Sequence, residues 1–224
     1  LTDANLSGYD SHGVIRVPHY IRLLRDDAVR VNQQIRVDIE NAVMAKVSGN
    51  FGFGQVIGEQ ATMLGIKKAS SEGISIIGLY NSGHLGRIGD WAFMAADADL
   101  ISLHFVNTSG FGILVAPYGG SDRRLSANPI AVGVPRASDI PVIVDVSTCS
   151  ISEGKIMVAR NEGVDVPEEA IIDGNGNPTT DPNIFYGNPL GAILPLGGHK
   201  GYGLGIMSEA VSGTRTGGGC SNKE

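Results

Sequence analysis

Three observations on this 224-residue sequence predict an α/β fold. Apolar runs short enough for buried strands alternate with segments of helical period, most clearly over 74–106. Hydrophobic residues make up 42% of the chain, enough at this length to bury a sizeable core. Glycine, at 32 residues, is about twice ordinary usage. With no Gly-X-Y period and only 10 prolines, those glycines belong to the loops of a folded protein and not to collagen or a linker.

Residues 1–31 begin as a loop and pass into a helix. Pro18 suits a first turn, and Tyr20, Ile21, Leu24 and Ala28 form one apolar face. Val43–Val47 predicts a short strand stopped by Ser48-Gly49-Asn50. Ile57, Ala61, Leu64 and Lys68 recur at helical spacing within a helix over 56–71. Ile74–Tyr80 is an apolar run between a glycine and Asn81-Ser82-Gly83, hence a strand. Residues 88–98, with Trp91, Ala92, Ala95 and Ala96, predict a helix, and Leu100–Val106 a further strand. Ile130–Val134 and Val142–Val146 read as short strands separated by Pro135 and Pro141, and Lys155–Asn161 as a helix. Residues 163–198, rich in Gly, Pro, Asn and Asp, predict a surface excursion. Tyr202–Val211 predicts a closely packed helix of small residues, and Gly213–Glu224 an end without structure or cut off. No internal repeat occurs, and 1–224 reads as one unit whose weakest continuity is the loop near 136–141.

Charge and cysteine usage exclude several classes. A net charge of −6 provides no global field for nucleic acid or anionic lipid. No apolar run approaches the roughly 18 residues of a membrane span, so a cytoplasmic protein is expected. Cys149 and Cys220 form no CxxC pair, which argues against a disulfide framework, and no His/Cys/Asp cluster has zinc spacing, so no metal is expected.

Four segments can carry chemistry. In Asp10-Ser11-His12-Gly13-Val14-Ile15-Arg16, His12 and Arg16 are four apart and share a helix or turn face about 6 Å apart. Arg16 can grip a carboxylate with its fork while His12 exchanges a proton with an oxygen on the next carbon, and Ser11 can orient the imidazole. A 2-hydroxy or 2-oxo acid has that pair of groups; a loop histidine beside a solvated arginine is the alternative. His84-Leu85-Gly86-Arg87-Ile88-Gly89 follows a strand end and opens a helix, where open α/β sheets bind ligands. His84 is there a second proton-transfer group, a cofactor contact or a plain capping residue. Asp145 ends a buried strand and needs a hydrogen-bond partner, a ribose hydroxyl or the next loop's backbone. Nearby Lys155 either binds an anion or is solvated. Leu196-Gly197-Gly198-His199-Lys200-Gly201 brings backbone N–H groups and a lysine to a helix start, as a phosphate requires, although close helix packing explains the glycines equally well. By contrast, Gly52-Phe53-Gly54-Gln55-Val56-Ile57-Gly58 only imitates a dinucleotide turn. Tyr80-Asn81 stand where the acidic residue belongs, and these glycines are assigned to plain structure.

Taken in order, Ser11-His12-Gly13-Val14-x-Arg16, His84-Leu85-Gly86-Arg87-x-Gly89, Asn128-Pro129-Ile130-Ala131, Asp145-x-Ser147-Thr148 with Gly154-Lys155, and Gly197-Gly198-His199-Lys200-Gly201 resemble the type-2 malate/L-lactate dehydrogenase family, with ureidoglycolate, sulfolactate and diketogulonate oxidoreductases among its relatives. The resemblance runs from about Leu1 to Gly219. It implies a mixed, largely antiparallel sheet with flanking helices, a non-Rossmann fold binding NAD, or NADP, in a homodimer. It implies His12 as proton donor, Ser11 as its orienting serine, Arg16 as carboxylate clamp and His84 as a further proton-transfer histidine. Asp145, Val146, Ser147, Thr148, His199 and Lys200 map to the nucleotide site, with Thr108 beside it. Family chains extend further at both ends, which implies an incomplete unit here.

Departures narrow the substrate. Ser126 stands where relatives usually have Thr at a substrate-facing position, and Glu153 where many have Arg, so a second acidic group on the substrate is repelled. Lys155, grouped with the catalytic residues, occupies a position that is acidic in the imine reductases, which favours an oxo-acid branch. The expected function is interconversion of a small malate- or lactate-type 2-hydroxy acid and its 2-oxo acid. A reductase of cyclic imines or keto-sugar acids on the same scaffold, and a non-catalytic binding member, are the alternatives.

Overall fold

The computed structural model describes residues 1–109, 112–137 and 140–221. The fold is mixed α/β, with strands in three small three-stranded sheets. The chain divides into two compact units. The first holds residues 1–104, 131–145 and 216–218, and the second holds 105–130, 146–215 and 219–224. Residues 138–139 of the expected loop near 136–141, and 222–224 of the expected unstructured end, lie outside the described residues.

The first unit opens with α1 (Thr2–Leu6), two 3-10 turns (Asp10–His12 and Val14–Arg16) and α2 (Val17–Arg25), which has Pro18 in its first turn as expected. Of the predicted apolar face on α2, only Tyr20 is buried; Ile21 and Leu24 stay exposed. β1 (Arg36–Glu40) pairs antiparallel with β2 (Met44–Gly52), which pairs parallel with β3 (Ile76–Ser82). The crossover is α3 (Gly54–Glu72), whose Ile57, Ala61 and Leu64 lie on one face by helical spacing. Ala61 and Leu64 join Ala45, Val47, Ile77 and Leu79 of the sheet in one apolar cluster. A left-handed Gly73 ends the helix at φ 83. α4 (Ile88–Asp97) buries Ile88, Ala92, Ala95 and Ala96. A second sheet has the order β4 (Ser102–Phe105), β5 (Ile130–Val134), β6 (Val142–Val146).

The second unit corrects one expectation. Residues 163–198 are not a surface excursion, because they supply β7 (Ile171–Ile172), β8 (Pro178–Thr179), α6 (Pro182–Phe185) and β9 (Ala192–Ile193). Ile171, Phe185 and Ile193 are among its most buried side chains, packed with Val115, Leu125 and Ile156. Two-residue strands give no periodic signal, which is why composition misleads there. α5 (Glu153–Glu162) and α7 (His199–Ser208) match the expected helices. α7 continues into a π-helical turn over Glu209–Thr214, so the expected unstructured end is helical at its start. Gly201 and Gly205 of α7 are buried, the latter against Leu125 and Thr148, as a closely packed helix requires.

Candidate active site

The first unit brings Ser11, His12, Arg16 and His84 together. The two 3-10 turns present His12 and Arg16, and Asn5 of α1 fastens them. Its Oδ1 accepts from Val14 N at 2.9 Å, and its Nδ2 donates to Asp10 at 2.5 Å. Ser11 Oγ lies 3.0 Å from His12 Nδ1. Arg16 Nε donates to the Ser11 carbonyl at 2.5 Å, which ties the guanidinium to its own turn through that nitrogen. His84, just past β3, stacks on His12 with ring centroids 5.5 Å apart and 18° between planes.

Both imidazoles are neutral at pH 7. Burial, followed by repulsion from Arg16, lowers the His12 pKa. Burial, followed by repulsion from His12, Arg16 and His19, pushes His84 down to about 3. The cluster therefore sets the Arg16 cation beside two neutral rings able to bond or carry a proton, with Arg87 and Asp90 also acting on His12 in opposite directions.

Two residues of this cluster, Tyr20 and Gln55, carry no site signal in the sequence. Tyr20, expected only as an apolar face residue, places its hydroxyl 2.8 Å from His84 Nδ1. Gln55 Nε2 donates to the same hydroxyl at 2.8 Å. Burial holds the Tyr20 phenol protonated by raising its pKa. The imitation dinucleotide turn explains how Gln55 arrives. At Gly54 the start of α3 lies so close to the His84 carbonyl that a Cβ would overlap it. Gly58 in turn packs on the Trp91 ring, so these glycines serve packing. Asp145, also in the first unit, accepts the Gly89 N–H at 2.8 Å, with its carboxyl pKa raised by burial.

The second unit carries the other predicted site residues. Thr108 and Ser126 both approach Gly112. Val146 is exposed, Ser147 Oγ donates to the Cys149 carbonyl at 3.1 Å, and buried Thr148 Oγ1 donates to the Ala127 carbonyl at 3.0 Å. Those two hydroxyls are thus engaged within the chain. Glu153 opens α5 and faces Arg123 and Tyr186, while Lys155 is exposed on the same helix. His199 and Lys200 are exposed at the start of α7, with Gly197 and Gly198 before them in left-handed backbone, and His199 touches the Tyr118 ring at 5.8 Å. Within this turn the Gly201 and Tyr202 N–H groups donate to the Leu196 and Gly198 carbonyls at 2.8 and 3.2 Å, so the donor that suits a phosphate here is the exposed Lys200 at the helix start. Nothing in the sequence pointed to buried Glu209. It accepts from Asn128, Asn107 and Ser221 and so anchors the Asn128-Pro129 segment.

No helix of the described residues is long and apolar enough to cross a membrane, and no group of three or more His, Cys, Asp or Glu among them could hold a metal ion.

Over residues 1–224 the chain matches the sequence model of a family described as malate/L-lactate dehydrogenase. It is 41% identical over 224 residues to hydroxycarboxylate dehydrogenase B of Escherichia coli O157:H7, covering 100% of this chain and 62% of that protein. Among solved structures, an E. coli protein provisionally named malate/lactate dehydrogenase aligns with TM-score 0.95 at 40% identity, over 98% of this chain and 61% of that one. Delta1-piperideine-2-carboxylate reductase from Pseudomonas syringae pvar. tomato aligns with TM-score 0.91 at 32% identity, over 99% and 65%. The chain spans less than two thirds of the length of these relatives.

Proposed function

This chain belongs to the malate/L-lactate dehydrogenase family, and from that footing we propose that it serves an NAD(P)-dependent dehydrogenase interconverting a small 2-hydroxy acid and its 2-oxo acid. The observation that carries the reading is the stacked His12–His84 pair beside Arg16. Arg16 holds the C1 carboxylate, with its Nε anchored on its own turn. His12 takes the C2 hydroxyl proton, and Ser11 orients its ring through Nδ1. Burial, and after it the nearby Arg16 charge, lowers the proton affinity of His12, so the ring starts neutral and ready to accept. The first turn of α7, with His199 and Lys200, suits the phosphates of the dinucleotide, NAD by first expectation and NADP as the alternative. When bound, that cofactor supplies the acceptor for the C2 hydride. A cytoplasmic homodimer working as one catalytic unit belongs to the same proposal.

The test is cofactor-linked absorbance with a panel of malate, lactate, other 2-hydroxy acids and a cyclic imine, with NAD and NADP. Turnover of a 2-hydroxy acid is expected, and His12→Ala should lower kcat by about 10² or more. Near-normal turnover in that variant would remove His12 from proton transfer. Turnover of the imine alone would give the function to the reductase reading, which the likeness to the piperideine-2-carboxylate reductase favours.

A further inference from the structure

We infer that Tyr20 and Gln55 are positioning residues that fix His84 as the tautomer with its proton on Nε2, making it a hydrogen-bond donor to the substrate oxygen and leaving His12 as the one base. This rests on the dehydrogenase reading above. The direction of the chain of bonds decides the tautomer. Gln55 Nε2–H donates to the Tyr20 oxygen at 2.8 Å. The Tyr20 hydroxyl then has its own hydrogen to place. The ring is buried, and a buried O–H without an acceptor is costly, so it donates to His84 Nδ1, 2.8 Å away. A neutral imidazole with a lone pair at Nδ1 carries its proton on Nε2. Such a ring has no lone pair open to receive a further proton, but it has one N–H to give in a hydrogen bond.

His12 is placed differently. Its Nδ1 faces a serine hydroxyl, which can accept as readily as donate. With Nδ1–H donated to Ser11, the His12 Nε2 lone pair is open for the hydroxyl proton of the substrate. The charge on His12 then develops against a neutral His84 ring instead of a second cation. The groups facing His84 are His12, Arg16, His19 and Tyr20, and none of them is an anion that would hold an imidazolium there.

The tautomer is read directly from the ring nitrogen shifts of His84 in 15N-labelled full-length protein. The Nε2–H form is expected in the native sequence at neutral pH. Gln55→Glu puts an acceptor where a donor was. The phenol then donates to the carboxylate, its oxygen accepts from His84, and the ring moves to the Nδ1–H form. Tyr20→Phe removes the constraint, and both forms should coexist. With Nε2–H gone, one donor to the substrate oxygen is lost, so kcat in Gln55→Glu should fall by about 10². Cofactor binding, read by Trp91 fluorescence, should stay unchanged. An Nδ1–H ring in the native protein, or one that neither variant alters, would overturn the inference. The native-protein measurement alone decides if a variant fails to fold. Were no 2-hydroxy acid turned over while His84 remained Nε2–H, the dehydrogenase reading would fall and the hydrogen-bond assignment would stand.

Discussion

His84 should make the protein acid-labile, by an amount that can be worked out beforehand. In the folded state its pKa is pushed down to about 3, mainly by burial and then by the charges of His12, Arg16 and His19, from 6.5 for a free ring. Between those limits the unfolded chain binds a proton at His84 and the folded chain does not, so falling pH favours unfolding. The slope is about 1.4 kcal/mol per pH unit where the difference is complete, and between pH 7 and pH 5 it accumulates to about 2 kcal/mol. His84→Asn removes the titrating ring but keeps an amide oxygen able to accept from Tyr20. Urea unfolding, followed through Trp91 at a series of pH values, should show the native sequence losing about 2 kcal/mol more than the variant over that interval. His104, also depressed by burial, to about 4, contributes equally to both proteins and drops out of the comparison. Parallel curves would refute the reasoning, because they would mean that His84 protonates in place without cost.

Two further outcomes follow from single contacts. Arg16→Lys should raise the KM for the acid substrate more than it lowers kcat, since lysine lacks both the fork for a carboxylate and the Nε–H that anchors the side chain on Ser11; steady-state kinetics with an unchanged KM would remove Arg16 from the clamp. Gly58→Ala would set a Cβ 2.7 Å from the Trp91 ring, and such overpacking should cost about 1–3 kcal/mol in urea unfolding; an unaltered midpoint would show that the α3–α4 contact yields without strain.

The elements legible in the sequence are those with one strong local signal. α3, β3, α4 and the strands β5 and β6 are apolar or periodic runs closed by glycine or proline, and they form where expected. β1 gives no signal because its five residues are all exposed and three of them, Arg36, Asp38 and Glu40, are charged, so it carries no burial pattern. The 163–198 segment hides its core because Ile171-Ile172 and Ala192-Ile193 sit on two-residue strands and Phe185 on a four-residue helix, each too short for a periodic signal. The same contrast holds for the cluster around His12. Ser11, His12 and Arg16 lie within six residues and their chemistry shows in the spacing. Tyr20 and His84 lie 64 residues apart, and Gln55 lies 35 from Tyr20, so only the fold makes them neighbours.

The imitation dinucleotide turn shows why spacing alone identifies less than it suggests. Glycines at 52, 54 and 58 sit at a strand-to-helix turn followed by a parallel strand, which is the local context of a true nucleotide loop. What such glycines report is the close approach of something to the backbone. At Gly54 that something is the carbonyl of His84, and at Gly58 it is the Trp91 ring. With protein already in that space, a pyrophosphate has no room there. The same approach brings the first turn of α3 against the residue that stacks on His12, and Gln55 comes with it. A segment assigned to plain structure thereby reaches the candidate active site through one amide, and exchanging that amide for a carboxylate reverses every hydrogen bond between it and His84.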